Sequence, residues 1–173
     1  MIVANHVSWM DIPWVALSIG WRNYKMVAKK ELLKVPILGK AISLGGNIIV
    51  DRTNRRSQLL TLKSGIQALK DGLYLVTFPE GTRSKNGRVS EFKNGAFKMA
   101  HKNKSPVVPI SIVGGIDVNP PNWMFPLRPG IGVAKVVVHE AVESDGISED
   151  ELGQKVRKSI IEGLPEKQRP ETE

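Results

Sequence analysis

The sequence predicts an α/β fold in one domain: a sandwich with a mostly parallel β-sheet flanked by helices. Three observations lead there. Short apolar runs alternate with segments whose apolar residues recur at helical spacing. Several of those runs are continuously apolar, as strands covered on both faces are. The 173 residues are enough for one domain with a sizeable core and too few for two ordinary ones, and no repeat or linker divides them.

Met1-Ile2-Val3-Ala4 reads as a buried strand, with a helical pattern over 9–19 behind it. Residues 24–28 are a second strand. Pro36 suits the first turn of a second helix, which runs through Ile37, Leu38, Ala41, Ile42 and Leu44 and stops at Gly45-Gly46. This segment is apolar around much of its circumference, with Lys30, Lys34 and Lys40 along it. A core helix is the expectation; a helix lying in a lipid interface is the alternative. Residues 47–50 form a third strand that ends at Asp51-Arg52, and 57–70 an amphipathic helix with Leu59, Leu62, Ile66 and Leu69 at helical spacing. A fourth strand, 73–78, ends at Pro79-Glu80-Gly81-Thr82-Arg83-Ser84. After a polar loop come a helix at 95–103 and a strand at 107–112. Residues 114–130 are a loop dense in Gly, Pro and Asn, where Trp123, Met124 and Phe125 either cover the core or touch lipid. A late strand at 133–138 follows, and Ser148 with Glu151 makes a capping box for a last helix to about 162. The domain is thus 1–164, and 165–173 is a polar, patternless tail expected to be disordered.

Lys and Arg number 25 against 17 acidic residues, a net charge of +8. Such a balance points to a polyanionic partner: nucleic acid, an anionic membrane surface or a phosphorylated substrate. The basic residues are spread out and lack interleaved aromatics, which argues against nucleic acid. There is no cysteine, so disulfides, thiolate nucleophiles and Cys-ligated zinc are excluded. The three histidines, His6, His101 and His139, show no metal-ligand spacing. No apolar stretch reaches the roughly 18 residues of a transmembrane helix. Met1 leads directly into the first strand with no signal peptide, which suggests a truncated chain or a domain that meets membrane through its surface.

Reactive residue types collect where strands end. The first strand delivers His6 and Asp11 at a strand-to-helix junction. Inside a helix, residues five apart point roughly 140° away from each other. If these two meet, His6 lies outside the helix with its ring folded back, Ser8 is the N-cap and Asp11 is the third helical residue. The pair is then a base with a carboxylate to orient it; the plainer reading is a loop histidine beside an acid that complements the helix N-terminus. The third strand contributes Asp51 and Arg52, the fourth Glu80, Gly81, Thr82 and Arg83. Guanidinium groups match phosphate through paired donors, and Gly81 lets backbone amides approach an oxyanion. Salt bridges from Arg52 and Arg83 to Asp51 and Glu80 are the structural alternative. There is no Gly-x-Ser-x-Gly elbow, Walker loop or dinucleotide fingerprint.

Four ordered blocks carry a resemblance. Asn5-His6-x4-Asp11, Gly46-Asn47-Ile48-Ile49-Val50-Asp51-Arg52, Phe78-Pro79-Glu80-Gly81-Thr82-Arg83-Ser84 and Val107-Val108-Pro109-Ile110 resemble the four motifs of the glycerolipid acyltransferases, specifically the 1-acylglycerol-3-phosphate (lysophosphatidate) acyltransferases. The resemblance implies that His6 is the general base on a glycerol hydroxyl and that Asp11 supports it. It implies that Arg52, Glu80, Gly81, Thr82 and Arg83 hold the acceptor's phosphate and glycerol, with Lys29 as a further phosphate contact. It puts Pro109 on the acyl-donor side and the segment 32–44 along the acyl groove. The implied reaction moves a fatty acyl group from acyl-CoA or acyl-carrier protein to lysophosphatidate, gives phosphatidate for phospholipid biosynthesis, and uses no cofactor and no metal. The membrane helices that family members carry before the first motif are not in this sequence, so a peripheral membrane association is implied for the chain as it stands. Glycerol-3-phosphate or another lysophospholipid as acceptor, and a non-catalytic domain that binds anionic lipid, are the alternatives.

Overall fold

The computed structural model describes residues 1–20, 23–120 and 133–171. Its core is one six-stranded sheet: β1 (Ile2–Ala4), β2 (Tyr24–Lys29), β3 (Ile48–Val50), β4 (Tyr74–Thr77), β5 (Val108–Val113) and β6 (Lys135–Val138). The order is β3-β2-β4-β1-β5-β6. All neighbours are parallel except β5 and β6, which are antiparallel. The helices are α1 (Asp11–Ser18), α2 (Leu38–Leu44), α3 (Arg55–Lys70), α4 (Gly95–Lys102), α5 (Gly115–Val118) and α6 (Glu149–Glu162).

Period-2 alternation in the strands sorts side chains between two cores. Val3 and Leu75 face one core with Phe97, Met99, Leu152, Val156 and Ile160 of α4 and α6. Ile2, Ala4 and Val76 face the other, with Val15 of α1 and Ile110 and Ile112 of β5. The two longest helices start at side-chain caps: Asn54 accepts from the Ser57 amide and Ser148 from the Glu151 amide.

The chain runs outward from β1 to β2 and β3, returns to β4 beside β1, then crosses to β5 on the far side. The adjacent carboxyl ends of β1 and β4 therefore form the topological switch point, where an open α/β sheet binds its ligands.

Two expectations fail. In α2 only Gly39 is buried, and no residue of the preceding 3-10 turn, Lys30–Lys34, is. A Cβ on Gly39 would lie 2.2 Å from the Leu33 carbonyl oxygen. The helix thus rests on that turn through a glycine, and its apolar side chains do not hold it against the core. The stretch from Pro165 is also not a loose tail. Glu166–Gln168 is a 3-10 turn, and Gln168, 1 % exposed, accepts from the Gly114 amide and donates to the Ile112 carbonyl. Polar composition hid it, because the glutamine is buried by hydrogen bonding and not by apolar contact. The aromatic cluster 123–125 lies outside the described residues.

Candidate active site

β1 stops at Ala4, but its pairing continues one step through a side chain. The Asn5 carboxamide donates to the Ile112 carbonyl at 3.1 Å and accepts from the Ile112 amide at 2.7 Å. That anchors the chain where it leaves the sheet and turns towards α1. Residues 7–10 then wind around one oxygen. Asp11 Oδ2 accepts from the Val7 amide (2.7 Å), the Ser8 amide (2.8 Å) and His6 Nδ1 (2.8 Å). The helix starts at Asp11 itself, so the acid is its first residue and not its third. Ser8 is not the N-cap: it is fully buried, accepts from the Met10 amide and donates to Asn119. The short-range bonds from Asp11 to Ser8 and from Ile12 to Trp9 make a tight turn before the helix, which moves its start back.

His6 is folded back as the spacing required. With an ionised Asp11 accepting at Nδ1, the ring proton sits there and Nε2 keeps its lone pair. The ring stacks on Phe78, centroids 4.2 Å apart, and its side chain is 16 % exposed.

Glu80 differs from its expected role of holding substrate. It is 3 % exposed, and both carboxylate oxygens are taken by the protein. Oε1 accepts from the His6 amide at 2.7 Å; Oε2 accepts from the Ser90 amide and hydroxyl. The Ser84 amide donates to the His6 carbonyl, so both main-chain groups of His6 are tied to the segment after β4. Burial pushes the Glu80 carboxyl above its ordinary value, against the bonds from Ser90 and His6 that pull it down. Glu80→Gln keeps an acceptor for one side only and is expected to cost about 1–3 kcal/mol of stability and to reduce activity with it. Thermal denaturation checks this. The raised carboxyl also sets a sign: the native state binds that proton more tightly, so wild type gains stability relative to Glu80→Gln as pH falls through the raised value.

Gly81 has φ +78°, a left-handed turn that suits glycine. A Cβ there would lie 3.1 Å from Lys93 Nζ and 3.4 Å from Arg52 Nη1. Two cations thus converge over a bare stretch of backbone, and neither has an acidic partner among the described residues. Arg52 is presented by a braced loop. Asp51 accepts from the Thr53 amide and hydroxyl and from Lys30, and its own amide donates to Ser57. The bonds from Thr53 hold the Asp51 carboxyl below its ordinary value. The alternative of Arg52–Asp51 and Arg83–Glu80 salt bridges is not what forms: Asp51 pairs with Lys30, and Glu80 is enclosed. Thr82 and Arg83 are exposed beside this cluster in sequence.

A family model described as Acyltransferase matches residues 1–113. The chain belongs to the acyltransferase family. It is 36% identical over 94% of its length to a chloroplastic 1-acyl-sn-glycerol-3-phosphate acyltransferase of Brassica napus, of which it covers 45%. It is 31% identical over 96% of its length to a 1-acyl-sn-glycerol-3-phosphate acyltransferase of Saccharomyces cerevisiae, of which it covers 55%. The crystal structure of PlsC from Thermotoga maritima, a 1-acyl-sn-glycerophosphate acyltransferase, superposes with a TM-score of 0.76 at 33% identity, over 94% of this chain and 63% of that one. The chain spans about half the length of these curated relatives. None of the helices among the described residues is long and apolar enough to cross a membrane.

Of the expected site residues, one stands apart and another is met by a protein carboxylate. Pro109 is buried within β5, paired in register with Val3 and so three residues short of the His6 level. At about 3.3 Å per residue it lies some 10 Å down the strand, and it offers no surface to a donor. Lys29 pairs with Glu31 at 3.6 Å and is exposed at the end of β2. Two residues that approach this candidate site carry no mark in the sequence reading. Lys93 lies in a loop beyond the fourth strand, and no local pattern marks it. Gly115, the first residue of α5 just past β5, would place a Cβ 3.4 Å from Asp11 Oδ1. The Gly114-Gly115 pair, Gly114 at φ +73°, was the available signal for that close approach.

Proposed function

We propose that the chain transfers a fatty acyl group from an acyl thioester, acyl-CoA or acyl-carrier protein, to the free hydroxyl of 1-acylglycerol-3-phosphate, giving phosphatidate. The observation that carries this reading is the juxtaposition at the β1 and β4 ends. An oriented histidine base stands beside a glycine turn on which two cations converge, neither with an acidic partner among the described residues. A phosphomonoester between Arg52, Lys93 and the exposed Arg83 would place its glycerol hydroxyl on the His6 side. His6 Nε2 takes the hydroxyl proton as the oxygen attacks the thioester carbonyl. The C–S bond breaks as the tetrahedral intermediate collapses, and the imidazolium returns the proton to the leaving thiolate. No protein nucleophile, metal or cofactor enters that sequence, and Asp11 stabilises the imidazolium while it lasts. Amides near Gly81 and the nearby cations favour the developing oxyanion.

Incubating purified protein with labelled acyl-CoA and lysophosphatidate should yield labelled phosphatidate. Parallel reactions with glycerol-3-phosphate and other lysophospholipids set the acceptor class. No product from any acceptor, with detergent or lipid supplied and folding confirmed, would overturn the enzyme reading. Lys93→Gln and Arg83→Ala should each raise KM for the phosphorylated acceptor about tenfold, the loss of one charge-assisted bond, with KM for the donor unchanged. Equal acceptor KM in variant and wild type would remove that residue from phosphate binding.

A further inference from the structure

The 3-10 turn Lys30–Lys34 and α2 form an apolar surface that the fold does not use. Ile37 is 88 % exposed, Leu44 79 %, Val35 42 %, Leu38 40 % and Leu33 37 %. Five large apolar residues within a dozen positions make a contiguous feature, where scattered single exposures would be ordinary. Ile37 also has φ +65° at the head of α2, a backbone state that a β-branched residue rarely adopts. That turn puts the most exposed apolar side chain of the patch at its tip.

The charge around the patch has one sign. Lys30, Lys34 and Lys40 lie along it, and residues 32–50 contain no acidic residue. Lys30 is paired with Asp51, whereas Lys34 and Lys40 are exposed and have no acidic partner among the described residues. Apolar side chains rimmed by free lysines suit an interface whose interior is hydrocarbon and whose headgroups are negative. The patch is also placed with the site. It springs from the carboxyl end of β2, and β2 is hydrogen-bonded to β4, whose own carboxyl end carries Glu80–Arg83. Neighbouring strands lie about 5 Å apart, so patch and site share one edge of the sheet.

We propose that Lys30–Lys34 and α2 are the face by which this protein seats on an anionic bilayer, with the candidate site held at the lipid surface. The reading of a lipid acceptor gives this docking its purpose, but the binding itself is separately testable. The protein should co-sediment with vesicles of phosphatidylcholine mixed with phosphatidylglycerol and much less with phosphatidylcholine alone, and added salt should weaken it. Ile37→Asp with Leu44→Asp should reduce vesicle binding about tenfold or more. Lys34→Gln and Lys40→Gln should each weaken it about fivefold. Circular dichroism confirms that these surface variants fold.

Sedimentation is done without donor or acceptor and repeated with His6→Ala, so its outcome does not depend on whether the chain is an enzyme. Vesicle binding equal in wild type and the Ile37/Leu44 variant overturns the proposal, as does failure of wild type to bind anionic vesicles. A lipid-free dimer that those substitutions dissolve overturns it in favour of a second copy of the chain. A fourth arm measures transfer to a short-chain acceptor that is monomeric in solution: its loss in Ile37→Asp/Leu44→Asp with vesicle binding kept makes the segment the wall of an acyl groove and overturns the proposal.

Discussion

Replacing His6 by alanine is expected to lower acyl transfer by about a thousandfold, within the range for removal of a general base, and to leave the fold intact. The fold survives because the bonds that hold this position are main-chain bonds. Glu80 binds the His6 amide, and the Ser84 amide binds its carbonyl. Alanine keeps both and loses only the stacking on Phe78 and the bond to Asp11. Initial rates on lysophosphatidate, beside a thermal melt, test this. A variant that melts like wild type and retains full activity would show that the proton is taken elsewhere.

Asp11 should show two separable effects, because one oxygen does all the work. Oδ2 receives three donors, while Oδ1 is buried without a hydrogen-bond partner among the described residues. In Asp11→Asn the amide oxygen can take the place of Oδ2, so the turn is kept and the charge is lost. Its NH2 group enters the apolar position near Gly115, at a cost of about 1–3 kcal/mol for an unmet donor. Activity should fall by about a hundredfold or more, since an imidazolium forms with no counter-charge. Asp11→Ala removes the acceptor for the Val7 and Ser8 amides as well. Two buried amides are then unmet, and the expected loss is about 3 kcal/mol or more. Denaturant unfolding of the two variants, set against their rates, separates the structural role from the chemical one. Equal stability of Asp11→Ala and wild type would contradict the winding of residues 7–10 around the carboxylate.

Part of this site was legible because its chemistry is local. His6 and Asp11 are five residues apart and Gly81 lies inside one short turn, so spacing offers them as candidates, and the four ordered motifs choose between the catalytic and the plainer reading. The resemblance gives Glu80 a substrate-holding role, and only the tertiary structure shows that its buried oxygens accept from His6 and Ser90 instead. Lys93 has no local mark, since its approach to Arg52 and Gly81 joins the loops that follow two different strands, β3 and β4. The resemblance puts Pro109 on the acyl-donor side, and its register opposite Val3 within β5 buries it away from the strand ends. The segment 32–44 was misjudged for another reason. Apolar composition reports what a helix can bury, and not whether anything is there to bury it.

Alternation of apolar runs with helical periods was enough to determine the α/β class, the parallel sheet and the strands whose ends carry reactive groups. Those properties depend on each segment's own pattern. What the tertiary structure alone decided is which strand ends are neighbours, which charges are met by the protein and which are left for a ligand, and that an apolar helix faces outward. Those depend on strand order and on contacts between residues far apart in the chain, which no local pattern records.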